Sequence, residues 1–276
     1  MKTVTLPSGE HVPAFGLGTW MMAQNKVARA EEIATLQLGL DLGATLIDTA
    51  EMYGEGRAEE LIGEAITGRR ERVFLVSKVY PHNASRKDAV LACERSLRRL
   101  KTDRIDLYLL HWRGSVPLAE TMDAFMALQH SGKIRHYGVS NLDLADMQEL
   151  WKVPGGSATA TNQVLYNLMR RGIEWDLLPQ LREWGVPVMA YSPIEQGKLV
   201  HNRKLVDFAQ RHRMTPATAA LAWLLASDVI VIPKTGNRER LRENLAAAEI
   251  RLTTAQLAEL DQLFPPPKGP RPLEML

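Results

Sequence analysis

A single cysteine, Cys93, in 276 residues excludes an internal disulfide and any zinc site built on several thiolates. Charge of one sign is also lacking: 34 Lys and Arg stand against 32 Asp and Glu, and a net +2 is far from the basic stripe of a dedicated nucleic-acid binder. The short clusters Arg69-Arg70-Glu71-Arg72 and Arg98-Arg99-Leu100-Lys101 sit among carboxylates and read as solvated faces. Long apolar runs are missing. The uncharged, largely apolar stretch Met214 to Ser227 ends at Asp228 after 14 residues, whereas a membrane-spanning helix needs about 20. Met1 to Glu10 holds one lysine with no apolar run behind it, so no secretory signal is read there. Gly54-Glu55-Gly56 lacks the third glycine of a dinucleotide fingerprint, and no Gly-Lys-Ser/Thr phosphate loop occurs. His130 and His136 flank a turn without a third ligand nearby, so no metal is expected. These absences point to a soluble cytoplasmic protein without nucleic-acid or membrane partners, and the lone cysteine with no coiled coil suggests a monomer.

What is present is alternation. Short continuous apolar runs occur at Leu46-Ile47, Val73 to Val76, Ile105 to Leu110, Ile134 to Val139, Val186 to Ala190 and Val229 to Ile232, with weaker ones at Phe15 to Gly18 and Ala160 to Gln163. Runs without polar alternation suit parallel strands covered on both faces. Between them lie segments of helical period, such as Ile33, Leu36, Leu40 and Val90, Cys93, Leu97, Leu100, which makes Cys93 a core packer. Ser85 to Asp88 and Thr253 to Gln256 resemble capping boxes, and Thr215-Pro216 places proline at a first helical position. About eight strand–helix units without a Gly/Ser linker favour one domain over residues 1–276, a (β/α)8 TIM barrel. An N-terminal β-hairpin is expected within 1–14, and a proline-rich, non-helical tail over 264–276.

In such a barrel, chemistry gathers where strands end. The second strand ends in Asp48, with Tyr53 just beyond; the third ends in Lys78; the fourth ends in His111, with Trp112 next. Singly, each has a plain reading: a loop-capping carboxylate, a half-buried aromatic, a solvated amine, a satisfied imidazole. A carboxylate, an amine and an imidazole at three consecutive exits call for a joint explanation. Carbonyl reduction supplies one, since it needs hydride at carbon and a proton at the developing alkoxide. A phenol, with an ordinary pKa of about 10, stays protonated near neutrality and can donate. On this argument Lys78 would lower the Tyr53 pKa, Asp48 would keep Lys78 charged and placed, and His111 would orient the carbonyl oxygen. Hydride must then come from a cofactor.

The ordered motifs Gly16-Leu17-Gly18-Thr19-Trp20, Leu46-Ile47-Asp48-Thr49-Ala50, Tyr53-Gly54, Val76-Ser77-Lys78, Asp106 to Trp112, Gly138-Val139-Ser140-Asn141, Asn162-Gln163, Tyr191-Ser192-Pro193 and Ile232-Pro233-Lys234 span nearly the whole chain. Together they resemble the aldo-keto reductases, most closely the bacterial methylglyoxal reductase-type members. The resemblance implies that Asp48, Tyr53, Lys78 and His111 are the catalytic tetrad, with Tyr53 the general acid. It also implies that Thr19 and Trp20 lie near a nicotinamide, that Ser140, Asn141 and Gln163 hold its carboxamide, and that Tyr191 stacks on its ring. Ser192 to Lys198 would cover the pyrophosphate, and Glu243 and Asn244 would contact adenine. Lys234, Thr235, Asn237 and Arg240 surround a helix start, where anions bind. That suits the 2′-phosphate of NADPH better than NADH, although several relatives carry arginine where this chain has Asn237. Trp20, Tyr53, His111 and Trp112 would line an open substrate mouth, with the tail as a candidate cover and methylglyoxal or a similar small carbonyl as the substrate. Two other readings remain: Lys78 as a Schiff-base nucleophile of an aldolase, and a non-enzymatic NADPH-sensing subunit.

Overall fold

The barrel is visible in a computed structural model, which describes residues 2–25 and 27–276. Eight parallel strands pair in chain order: β3 (Gly16–Gly18), β4 (Leu46–Asp48), β5 (Phe74–Val79), β6 (Ile105–Leu110), β7 (Ile134–Ser140), β8 (Asn162–Leu165), β9 (Val188–Tyr191) and β10 (Ile230–Val231). They are preceded by an antiparallel hairpin, β1 (Thr3–Thr5) with β2 (His11–Pro13), in the register Thr3↔Pro13, Val4↔Val12 and Thr5↔His11. The hairpin plugs the mouth from which the strands start. Val12 is buried, Glu10 pairs with Arg135 and His136 at the start of β7, and the Lys2 ammonium donates to the Leu225 carbonyl.

Closure is made differently from the other pairings. Between β10 and β3 the contact shrinks to the isolated bridges Phe15↔Val231 and Gly18↔Lys234, with the Gly18 N–H donating to Pro233 O at 3.1 Å. Glycine is required there because a Cβ on residue 18 would lie 2.7 Å from the Ile232 carbonyl oxygen.

Outside the barrel run α1 (Arg29–Asp41), α2 (Arg57–Ala65), α3 (Arg86–Leu100), α4 (Leu118–His130), α5 (Leu144–Trp151), α6 (Leu177–Glu183), α7 (Arg203–Arg211), α8 (Pro216–Ala226), α9 (Arg238–Ala246) and α10 (Thr254–Leu263). Thr253 and Gln256 form a reciprocal capping box, and Thr215 caps α8 ahead of Pro216. Ser85 accepts from the Asp88 N–H, but its hydroxyl, rather than its backbone, meets the Asp88 carboxylate. Cys93 lies fully buried on α3, and burial pushes its thiol up to about 12. Among the described residues no helix is long and apolar enough to cross a membrane.

Two strand boundaries move in an informative direction. The third apolar run, read as Val73 to Val76, continues through Lys78 to Val79, because the ammonium finds partners inside the barrel mouth. The run from Val186 begins as a strand only at Val188, past Pro187, which has no N–H to give a ladder.

Candidate active site

Three consecutive strands deliver the central groups. Asp48 closes β4, Lys78 is the penultimate residue of β5, and His111 directly follows β6. The register sets Asp48 beside Val76 and Lys78 beside Leu109, so the side chains converge at the end of the barrel opposite the hairpin. Lys78 is completely buried, and its ammonium donates to Asp48 Oδ1 and Oδ2, both at 2.9 Å, and to Thr49 O at 2.7 Å. It also donates to the Tyr53 hydroxyl at 3.2 Å. Burial pulls the Lys78 pKa down, and the adjacent Asp48 carboxylate opposes that pull.

Tyr53 begins a 3₁₀ turn, Tyr53–Gly56, in which Gly54, Glu55 and Gly56 all take positive φ. Its phenol titrates in the opposite sense to the sequence expectation. Burial first, and the Asp48 charge second, push it well above the usual value. Those two effects outweigh the opposite pull of the Lys78 ammonium, which is itself paired with both carboxylate oxygens of Asp48. The phenol is therefore a firmly protonated donor with a cation waiting behind its oxygen.

His111 completes the floor, its ring 5.8 Å from that of Tyr53 and inclined at 73°. Burial, helped by the Lys78 charge, pushes its pKa down to about 2, so the imidazole is neutral. Its Nδ1 is buried without a hydrogen-bond partner among the described residues. Trp112 packs 4.8 Å from the His111 ring, and Trp20, 39% exposed, stands open at the rim.

The groups matched to a nicotinamide form one network on neighbouring strand ends. Ser140 Oγ donates to Gln163 O, Asn141 Nδ2 to His111 O, and the Tyr191 hydroxyl to Asn141 Oδ1 at 3.0 Å. Gln163 lies within β8 and donates to Asp48 Oδ1 at 2.7 Å, linking this network to the tetrad. Thr19 is fully buried, and its hydroxyl holds the Asp48 carbonyl from behind rather than facing the open mouth.

At the barrel seam, Asn237 caps α9 by accepting from the Glu239 and Arg240 N–H groups. Those amides are thereby occupied, so anion recognition falls to side chains. Lys234 and Arg240 are exposed and have no carboxylate partner among the described residues, whereas Arg238 is held by Glu31. The Thr235 hydroxyl lies on the same loop, and Glu243 and Asn244 follow on α9, Asn244 being buried. This donor set fits a phosphate. Among the described residues no group of three His, Cys, Asp or Glu is placed to hold a metal, and His136 pairs with Glu10 instead.

The loop Ser192 to Lys198 was read as a pyrophosphate cover, but Asn167 and Arg170, which hold it, escaped the sequence reading. Ser192, Glu195 and Gln196 all have positive φ, and this strained loop is held by buried Glu195. Asn167 Nδ2 donates to Glu195 Oε2 at 2.8 Å and to Ser192 O, while Arg170 donates twice to Glu195 Oε1. The same guanidinium reaches Glu274 of the tail at 2.5 Å. The tail passes over Gly172 and a cavity of about 310 Å³ lined by Leu144, Ile173 and Leu273. Burial raises the Tyr191 phenol to about 12. The only advance signal was the pair of adjacent cations, Arg170-Arg171, shortly after β8.

Barrel and site define an oxidoreductase of a known kind. A model described as the Aldo/keto reductase family matches residues 14–264, and the chain belongs to that family. It is 50% identical to "Methylglyoxal reductase YeaE" of Escherichia coli (strain K12), across all of this chain and 99% of that protein. "Glyoxal reductase" of Bacillus subtilis (strain 168) is 32% identical over 99% of this chain and 97% of its own length. An aldo/keto reductase from Klebsiella pneumoniae, solved in complex with NADP and acetate, superposes with a TM-score of 0.97 at 48% identity, covering 100% of this chain and 99% of that one.

Proposed function

We propose that the chain reduces small aldehydes and ketones to alcohols with NADPH, using Tyr53 as the proton donor. One observation carries the reading: a protonated phenol 3.2 Å from a buried ammonium that is itself fixed by Asp48. When bound, the cofactor supplies hydride to the carbonyl carbon. Tyr53 gives its proton to the oxygen as negative charge develops there, and the phenolate left behind is stabilised by Lys78. His111, neutral throughout, hydrogen-bonds the carbonyl oxygen and aims it at Tyr53. Ser140, Asn141, Gln163 and Tyr191 orient the nicotinamide; Lys234, Thr235 and Arg240 hold the 2′-phosphate, which favours NADPH over NADH. Trp20 and Trp112 form apolar walls around the substrate.

The Schiff-base alternative finds no support in the geometry. A nucleophilic amine needs a free lone pair and access, but Lys78 is wholly buried and bonded to Asp48, Thr49 and Tyr53. A sensing subunit without turnover would have no use for the Tyr53–Lys78 contact. The strong likeness to a methylglyoxal reductase makes an α-oxoaldehyde the proposed substrate. One domain over 1–276, a cytoplasmic location and a monomeric state complete the proposal. The test is Tyr53→Phe, assayed by NADPH oxidation with methylglyoxal and by nicotinamide fluorescence. Turnover should fall roughly 10²- to 10⁴-fold, the usual span for removing a general acid, with NADPH binding retained. Undiminished turnover would eliminate Tyr53 as the donor.

A further inference from the structure

Tyr53 lies outside the regular strands that place Asp48 and Lys78. The turn that carries it runs through three successive positive-φ residues, so nothing in its own backbone regularity fixes the phenol. The chain on either side of that turn is instead fastened to the Lys78 strand. Before it, Glu51, 7% exposed, accepts from the Tyr80 N–H at 2.8 Å and from Asn83 Nδ2 at 3.0 Å, both just past the end of β5. After it, Glu59 on α2, fully buried, accepts from Ser77 Oγ at 2.6 Å and from Arg99 Nε at 2.6 Å. Ser77 is the residue immediately before Lys78, and strand alternation turns its side chain outward to α2 while Lys78 faces the mouth. The Arg99 side chain lies flat on Gly56, the last residue of the Tyr53 turn, where a Cβ would come within 2.6 Å of it.

Burying a carboxylate is unfavourable unless its partners are fixed and complete. Here burial raises the Glu59 pKa, while Arg99, Ser77 and Ser96 hold it down. Neither Glu51 nor Glu59 touches the reacting centre. Both do the same mechanical thing from opposite ends of one turn.

We infer that Glu59, through Ser77 and Arg99, is a positioning residue that holds the Tyr53 hydroxyl at the Lys78 ammonium, with Glu51 as its counterpart on the other side. The inference rests on the carbonyl-reductase reading and deepens it. A displacement of about 1 Å at a reacting group costs up to 10²-fold in rate, so loosening this turn should act on kcat and leave binding alone.

The experiment compares Glu59→Ala, Ser77→Ala and Glu59→Gln in steady-state kinetics with methylglyoxal, alongside NADPH binding by fluorescence. Glu59→Ala and Ser77→Ala should lower kcat roughly 10- to 100-fold, with KM for methylglyoxal and NADPH affinity within about twofold of wild type. Glu59→Gln keeps an acceptor oxygen for Ser77 but turns an amide nitrogen toward Arg99, so it should recover kcat only in part, to a level between Glu59→Ala and wild type. Ser77→Ala keeps the Glu59–Arg99 pair and so decides the matter if Glu59→Ala does not fold. A second readout is independent of turnover: the ¹⁹F resonance of 3-fluorotyrosine at position 53 should shift or broaden in Ser77→Ala and lie closer to its wild-type position in Glu59→Gln than in Glu59→Ala. Wild-type kcat in folded Ser77→Ala, or an unmoved ¹⁹F resonance, would overturn the inference. A wild-type protein without carbonyl turnover would overturn the functional reading instead, and the fluorine signal alone would then judge the positioning role.

Discussion

Replacing Lys78 by methionine keeps an unbranched apolar stem, one atom shorter, and deletes the charge. The pair it belongs to is almost dry, with side-chain exposures of 0% for Lys78 and 3% for Asp48. Without the ammonium, Asp48 retains one side-chain donor, Gln163 Nε2 at 2.7 Å, for a buried carboxylate. Removing one partner of a buried pair costs about 3–5 kcal/mol, mostly as the penalty of the bereft charge. An unfolding entropy of about 2.1 cal/mol/K per residue gives this chain about 0.6 kcal/mol/K, so the melting temperature should drop about 5–9 °C. Adding Asp48→Asn removes the orphaned charge, and the double variant should recover a good part of the loss. Thermal and urea melts of wild type, both single variants and the double variant close the cycle, with an expected coupling of about 1.5–3 kcal/mol. Strict additivity of the two substitutions would refute the claim that they form one buried unit.

His111 gives a pH prediction. Its folded pKa of about 2 lies below the ordinary value of 6.5, so the unfolded chain binds the extra proton first. Its contribution is fully present above pH 6.5 and is lost as pH falls below that value. His111→Gln should therefore flatten the decline of the urea midpoint between pH 7 and 5, and wild-type kcat/KM should show no imidazole inflection over that span; an unchanged decline would contradict a neutral buried ring. At the seam, Lys234→Ala and Arg240→Ala should each weaken NADPH about 10- to 100-fold, as expected for a lost hydrogen bond to a charged group, and leave NADH nearly unchanged. Equal losses for both nucleotides in fluorescence titrations would remove the 2′-phosphate assignment.

The barrel was legible because each strand is a dry apolar run and each exit is punctuated by a polar residue that a covered strand would not otherwise carry. The convergence of Asp48, Tyr53, Lys78 and His111 at one mouth was legible for the same reason. Sequence went astray where an outcome depends on who stands next to whom. Lys78 reads as the end of a strand, yet the strand runs past it because Asp48 absorbs its charge. The Tyr53 shift has the wrong sign in a pairwise argument that counts Lys78 and leaves out burial and Asp48. Glu59 and Glu195 look like ordinary surface acids; Glu59 meets its cation 40 residues away and Glu195 meets Arg170 at 25. No periodicity announces such partners. Asn237 was read beside an anion-binding helix start, but its side chain caps that helix and so takes two of the amides that an anion would use.

The closure between β10 and β3 has a consequence of its own. This is the thinnest join in the cylinder, two bridges where other neighbours share a ladder, and Lys234 and Gly18 face each other across it. A dinucleotide gripped from Lys234 on one lip and Trp20 on the other would act as a staple, engaging only a barrel already shut. Ligand that binds the native form alone adds about 2.7 kcal/mol at a hundred times its dissociation constant. The protein's endurance against unfolding would then follow the supply of the dinucleotide in either redox form, and a cell depleted of it would hold this chain in its most fragile form.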